Sequence, residues 1–172
     1  SGVNFLSGNN GNDTIYGHGG IDTINGGAGN DTILIESPAG NSSIAYGGAG
    51  DDTIYGGAGN DYVQGDAGND TIVGLGGADS LYGGAGNDTV IAGDGAGSVV
   101  DGGAGANSLW GGSGNDYMVG GELADTIVGR GGSDYLFGNA GADSMYGGSG
   151  TDYIYGNAGN EFIWTDDAGG AK

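Results

Sequence analysis

GGAGNDTIL, residues Gly26 to Leu34, returns as GGAGNDTVI from Gly83 to Ile91. Between and beyond these copies the aspartates keep the same beat. Asp13, Asp22 and Asp31 are nine residues apart, as are Asp52, Asp61, Asp70, Asp79 and Asp88, and then Asp116, Asp125, Asp134, Asp143 and Asp152. Alignment on these residues gives fifteen nonapeptides, starting at Gly8, Gly17 and Gly26, then Gly47 to Gly83, then Gly102 to Gly156. The first position is always glycine, and the fourth is glycine except at Leu123. The sixth is aspartate except at Asn107 and Glu161, and the eighth is always Ile, Val, Leu or Met. A fixed period of this kind marks a repeat architecture in which each unit buries its apolar residue only against its neighbours.

Each unit splits into two halves. Six residues rich in Gly, Asn and Asp supply the positive-φ conformations of a tight turn. The next three, such as Thr14-Ile15-Tyr16, are β-formers whose middle residue faces opposite to its neighbours. Stacked copies place Ile15, Ile33, Ile54, Ile72 and Val90 in one aliphatic column, and a second column faces it. The expectation is an all-β fold: a right-handed parallel β-roll, or β-solenoid, with two repeats per coil, spanning residues 1–172 as a single domain. About eight coils at ~4.8 Å spacing make a rod on the order of 40 Å.

Two segments interrupt the array, residues 35–46 (IESPAGNSSIAY) and 92–101 (AGDGAGSVVD). As degenerate repeats they put Ser43 and Ser98 in the aspartate column. As loops bulging from the array they would swap the pairing of everything downstream. The opening GVNFLS reads as a partial repeat, with Asn4 in the aspartate column and Leu6 in the apolar one.

Composition alone points elsewhere. The 172 residues include 47 glycines and carry a formal charge of −20, with only two basic residues, Arg130 and Lys172. Low aliphatic content with high net charge is the signature of disorder, and only the repeat overturns it. Two cations cannot neutralise a phosphate backbone, which excludes nucleic-acid binding. No apolar run reaches ~18 residues, so no helical membrane span is expected. The absence of cysteine removes disulfides, thiolate metal sites and a cysteine nucleophile. Ser37, Ser42 and Ser43 have no histidine or lysine nearby in sequence to activate them. Almost all the carboxylates that could form a glycosidase pair belong to the repeat. No catalysis is expected, and His18 reads as an exposed turn residue.

Stacking the turns brings like-charged aspartates within a few ångströms, which cannot persist without a counter-charge. Glycine turns and one carboxylate per turn offer oxygen ligands only. Calcium takes six to eight oxygens at ~2.3–2.6 Å in flexible geometry, whereas Mg²⁺ demands a stricter octahedron. An ion tying each turn to the next on the same edge is the expected partner.

These residues resemble the RTX (repeats-in-toxin) family of hemolysin-type calcium-binding repeats, over residues 8 to 164. The resemblance implies that each ion lies between two turns of one edge, held by main-chain carbonyls and two aspartates. One edge would then carry Asp13, Asp31, Asp52, Asp70, Asp88, Asn107, Asp125, Asp143 and Glu161. The other would carry Asp22, Ser43, Asp61, Asp79, Ser98, Asp116, Asp134 and Asp152. Neighbouring aspartate pairs number five and three on the two edges, giving about eight Ca²⁺ ions, or up to eleven if Asn107 and Glu161 join. Leu123, in place of the turn glycine, sets the Asp125 turn apart. Eight divalent ions would reduce −20 to −4, which couples folding to binding.

The resemblance further implies a bacterial protein exported unfolded by type I secretion and folded by calcium outside the cell, as part of a larger secreted chain. The tail DDAGGAK does not look like the family's C-terminal secretion signal. The alternative is a self-assembling surface-layer, fibre or adhesin subunit. For that reading the outward rows matter: threonines Thr14, Thr32, Thr53, Thr71 and Thr89 on one sheet, and tyrosines Tyr62, Tyr117, Tyr135 and Tyr153 on the other.

Overall fold

The computed structural model describes residues 2–165; the DDAGGAK tail, 166–172, lies outside the described residues. Eighteen β-strands follow one another with no helix among the described residues. They alternate between two nine-stranded sheets, one running from Gly2–Asn10 to Tyr153–Ala158, the other from Thr14–Tyr16 to Phe162–Trp164. Every neighbouring pair is parallel, and partners differ by one coil of two repeats: Thr14 pairs with Thr32, Thr71 with Thr89, and Tyr135 with Tyr153. The chain is therefore a parallel β-solenoid of nine coils.

The ninth coil comes from the opening segment. Asn4 lies opposite Asp22 and Leu6 opposite Ile24, so the partial repeat forms a complete strand and closes one more coil than the expected eight.

The interruptions keep the alternation. Ile44 pairs with Thr23 on one side and Tyr62 on the other, and Val99 with Ser80 and Tyr117. The surplus residues of the first interruption leave the coil as an exposed turn, Pro38-Ala39-Gly40, closed by a hydrogen bond from Asn41 N–H to the Pro38 carbonyl at 3.0 Å.

The interior holds one apolar side chain per repeat, with Ile35 and Ala92 added at the two interruptions. Ile24, Val63, Leu81, Met118 and Leu136 of one sheet, and Ile33, Ile54, Ile72, Leu109, Ile127 and Met145 of the other, are all fully buried in one cluster. Leu6, Ile15 and Ile154 pack against it from the terminal coils and are only partly buried. This thin core reconciles an ordered fold with a low aliphatic content, because the aliphatics at position eight line it in every coil but the last, where Ile163 is exposed, and none is spent on a second layer.

The outer faces differ along the rod. One sheet carries the threonine row, with Thr14, Thr32, Thr53, Thr71, Thr89, Ser108 and Thr126 in register. Aromatic ladders thicken toward the far end. Tyr135 stacks on Tyr153 at 4.8 Å and Phe137 on Tyr155 at 5.0 Å between ring centres. On the opposite sheet Arg130 lies over Trp110 at 5.3 Å.

Candidate metal sites along two turn edges

Every turn must reverse the chain within six residues, and left-handed backbone makes this possible. Position four is glycine at φ near +120° in typical turns, as at Gly11 (115°), Gly29 (123°) and Gly50 (126°). At Gly29 and Gly50 a side chain would also strike the turn of the preceding coil: a β-carbon on Gly29 would stand 2.6 Å from the Gly11 carbonyl carbon.

The tight turn delivers position six, the aspartate, to the inside. Asp22, Asp31, Asp52, Asp61, Asp70, Asp79, Asp88, Asp116, Asp125, Asp134 and Asp143 are each 2% exposed or less. Asp13 and Asp152, at the two ends, are half-buried. Together they form two columns. On one edge, Asp13 N–H donates to Asp31 Oδ1 at 2.8 Å, Asp31 to Asp52 at 2.7 Å, Asp52 to Asp70 at 2.7 Å and Asp70 to Asp88 at 2.8 Å. The column continues through Asn107 to Asp125, Asp143 and Glu161. On the other edge, Asn4 and Asp22 lead to Ser43, then to Asp61, Asp79, Ser98, Asp116, Asp134 and Asp152. The two edges hold the residues that the repeat alignment assigns to them. Leu123 does not disturb its turn, since Asp125 keeps both bonds of its column.

One carboxylate oxygen is thus satisfied by the backbone and the other is not. The Oδ2 atoms of Asp13, Asp22, Asp31, Asp52, Asp70, Asp79, Asp88, Asp125, Asp134 and Asp143, and Oε1 of Glu161, are buried without a hydrogen-bond partner. A buried carboxylate oxygen without a partner is costly and calls for a counter-charge. Each such aspartate oxygen faces the empty side of the position-one glycine, and Oε1 of Glu161 faces Gly159. A β-carbon on Gly8 would stand 2.5 Å from Asp13 Oδ2 and 2.6 Å from the Gly26 carbonyl oxygen. The same carboxylate and next-coil carbonyl oxygens converge at Gly26, Gly65, Gly83 and Gly129. Among the described residues no three acidic or histidine side chains come together, so any cage must be completed by main-chain oxygens. An oxygen-only set of this kind fits Ca²⁺.

Burial and like-charge neighbours act on these groups in one direction. Burial, reinforced by Asp88 and Asp52, pushes Asp70 up to about 7, although the hydrogen bond from Asp52 N–H opposes the rise. Burial and Asp61 push Asp79 up to about 7. Burial raises Asp125 and Asp134 to about 6, with Asp143 adding to the first and Asp116 and Asp152 to the second. Asp52, Asp88 and Asp116 are raised in the same way, chiefly by burial. Negative charge on these columns is therefore disfavoured in the fold itself.

His18 is on the surface, its side chain 76% exposed, with Nδ1 3.0 Å from Glu36 Oε2. Sequence reasoning missed Ser37. Its buried hydroxyl lies 2.7 Å from Asp61 Oδ2 and 2.9 Å from Oδ1. No repeat position flags this serine; the only signal is that the glycine and aspartate columns fail together in its segment, at Ile35 and Ser43.

Comparison with curated proteins gives no match. The family model of the RTX calcium-binding nonapeptide repeat matches residues 1–33, 40–72, 64–99, 97–127, 119–154 and 143–167. With nine parallel coils, two buried aspartate columns and matches along nearly its whole length, the chain belongs to the RTX calcium-binding nonapeptide repeat family, whose β-roll is a structural calcium-binding module rather than a catalytic fold.

Proposed function

We propose that this chain is a calcium-triggered folding and stiffening module that works outside the cell, as part of a larger secreted bacterial protein. The observation that carries it is the set of eleven buried, unpartnered carboxylate oxygens, each facing a glycine that leaves room beside it. The proposed ligands are Asp13, Asp22, Asp31, Asp52, Asp61, Asp70, Asp79, Asp88, Asp116, Asp125, Asp134, Asp143 and Asp152, with position-one carbonyls of the following coil. About eight ions, and up to eleven, follow from the neighbouring pairs. Bound Ca²⁺ supplies two positive charges and accepts six to eight oxygens. The protein's part is to hold one carboxylate per turn at a fixed height, orient it by a backbone N–H, and exclude water by burial. In low calcium the same columns repel and the coil is disfavoured, which suits a chain that must stay unfolded during export and fold afterwards.

A second reading, a self-assembling surface or adhesive subunit, is favoured by the exposed aromatic rows, where Tyr117, Tyr135, Tyr153 and Tyr155 are each more than 40% exposed. Such rows invite contact.

The test is far-UV circular dichroism with sedimentation, titrating Ca²⁺ from EDTA to about 10 mM against a Mg²⁺ control. Disorder in EDTA and β structure only with Ca²⁺ supports the module. A β-roll already formed in EDTA at neutral pH overturns it. Filaments that appear only with Ca²⁺ favour the second reading over a monomeric module.

A further inference from the structure

The Asp22 edge contains two turns built unlike the rest. Where serine replaces aspartate, the position-one glycine is also lost: Ile35 accompanies Ser43, and Ala92 accompanies Ser98. The exchange has a steric cause. Elsewhere the carboxylate lies against the position-one glycine, so a side chain there and a carboxylate compete for one space. With serine the space is free, and Ile35 (0% exposed) and Ala92 (2%) fill it with hydrocarbon.

The carboxylate that follows each change in the column is altered too. Asp61 follows Ser43 and Asp116 follows Ser98 in the column. These are the fully buried aspartates whose Oδ2 has a protein partner. The Ser37 hydroxyl donates to Asp61, and Gly112 N–H donates to Asp116 Oδ2 at 2.8 Å. The backbone agrees. Position two is left-handed in the other repeat turns, at residues as different as Asn9, Asp66, Leu75 and Arg130, but Gly57 and Gly112 leave that region, as do the position-four glycines Gly59 and Gly114.

Resting on the calcium reading above, we propose that the Asp61 and Asp116 turns are metal-free. Protein donors replace the ion at the carboxylate, and Ile35 and Ala92 plug the preceding turns. The Asp22 edge then joins its coils by hydrogen bonds and hydrocarbon at these places. Of the eight aspartate pairs, 61–79 and 116–134 drop out. Six remain, five on the Asp13 edge and one, 134–152, on the other.

Native mass spectrometry of the full chain at saturating Ca²⁺ tests this by counting ions. Ser37→Ala leaves Asp61 Oδ2 unpartnered, like its neighbours elsewhere, and should add one ion. The double variant Ala92→Gly/Ser98→Asp rebuilds the ordinary turn and should add at least one; it keeps the test open if Ser37→Ala fails to fold. An ion count unchanged from the parent in either folded variant overturns the proposal. If the parent holds ions and the variants match it, only the metal-free turns fall. If the parent binds no Ca²⁺, the calcium reading itself falls.

Discussion

Along the Asp13 edge the column runs through Asp, Asn and Glu without a break, and its partnerless oxygens stand one above another. Along the Asp22 edge, serine interrupts twice, and at each interruption hydrocarbon and local donors fill the gap. The two edges share a nonapeptide, a spacing and a pair of sheets, yet solve the problem of buried negative charge differently. One concentrates it and, on the proposed reading, depends on a counter-ion. The other dilutes it. On the proposed reading, a repeat protein can set how many ions it takes without altering its coil, through positions one and six and through the donors placed beside the next aspartate.

The largest effect that would break this contrast is loss of the plug. Ile35→Ala removes a fully buried side chain from the Asp22 edge and should lower the unfolding free energy of the Ca²⁺-loaded protein by about 2–5 kcal/mol. Urea unfolding at fixed Ca²⁺ checks it, and a change under about 0.5 kcal/mol, the range of surface substitutions, would mean the side chain adds nothing to the core.

Next in size is the difference between the carboxylates. Asp70 belongs to two neighbouring pairs on the ion-dependent edge, with Asp52 and Asp88. Asp70→Asn should raise the Ca²⁺ midpoint of folding on the order of tenfold. Asp61→Asn, whose carboxylate already has the Ser37 hydroxyl, should shift it less than about twofold. Equal shifts, read by circular dichroism, would erase the distinction between the edges.

The column was legible in the sequence, and so was the fold, because each aspartate, glycine and aliphatic falls at one fixed place in nine. Asn4 and Leu6 were readable for the same reason. Ser37 was not, since it sits in a segment three residues too long, where counting fails and only three-dimensional closure brings its hydroxyl to Asp61. The paired loss of glycine and aspartate was visible as letters. Its meaning needed the geometry, which shows that the two positions share one space.

Acidity should sharpen the contrast further. Asp70 and Asp79 are held up to about 7, and Asp125 and Asp134 up to about 6, mainly by burial. A group raised in the fold favours folding below its ordinary value, and that contribution is lost as pH rises through the raised one. In EDTA, β content should therefore be higher at pH 5 than at pH 8, while calcium binding weakens on acidification because protons compete for the same oxygens. A calcium-free chain with no more β structure at pH 5 than at pH 8 would contradict it.

The smallest effect concerns the outer face. Tyr135 and Tyr153, stacked at 4.8 Å and 10°, should show a coupling of about 0.5–1.5 kcal/mol in a double-mutant cycle. A null result would leave the ladder free for contact with other molecules.

The parallel register has a mechanical consequence. An uninterrupted coil winds 18 residues, as from Thr71 to Thr89, which drawn straight would reach about 60 Å, into a rise of about 4.8 Å. The rod is therefore a spool that holds more than ten times its own height in slack. A coil peeled from one end lengthens the tether by that amount while the coils behind it stay wound.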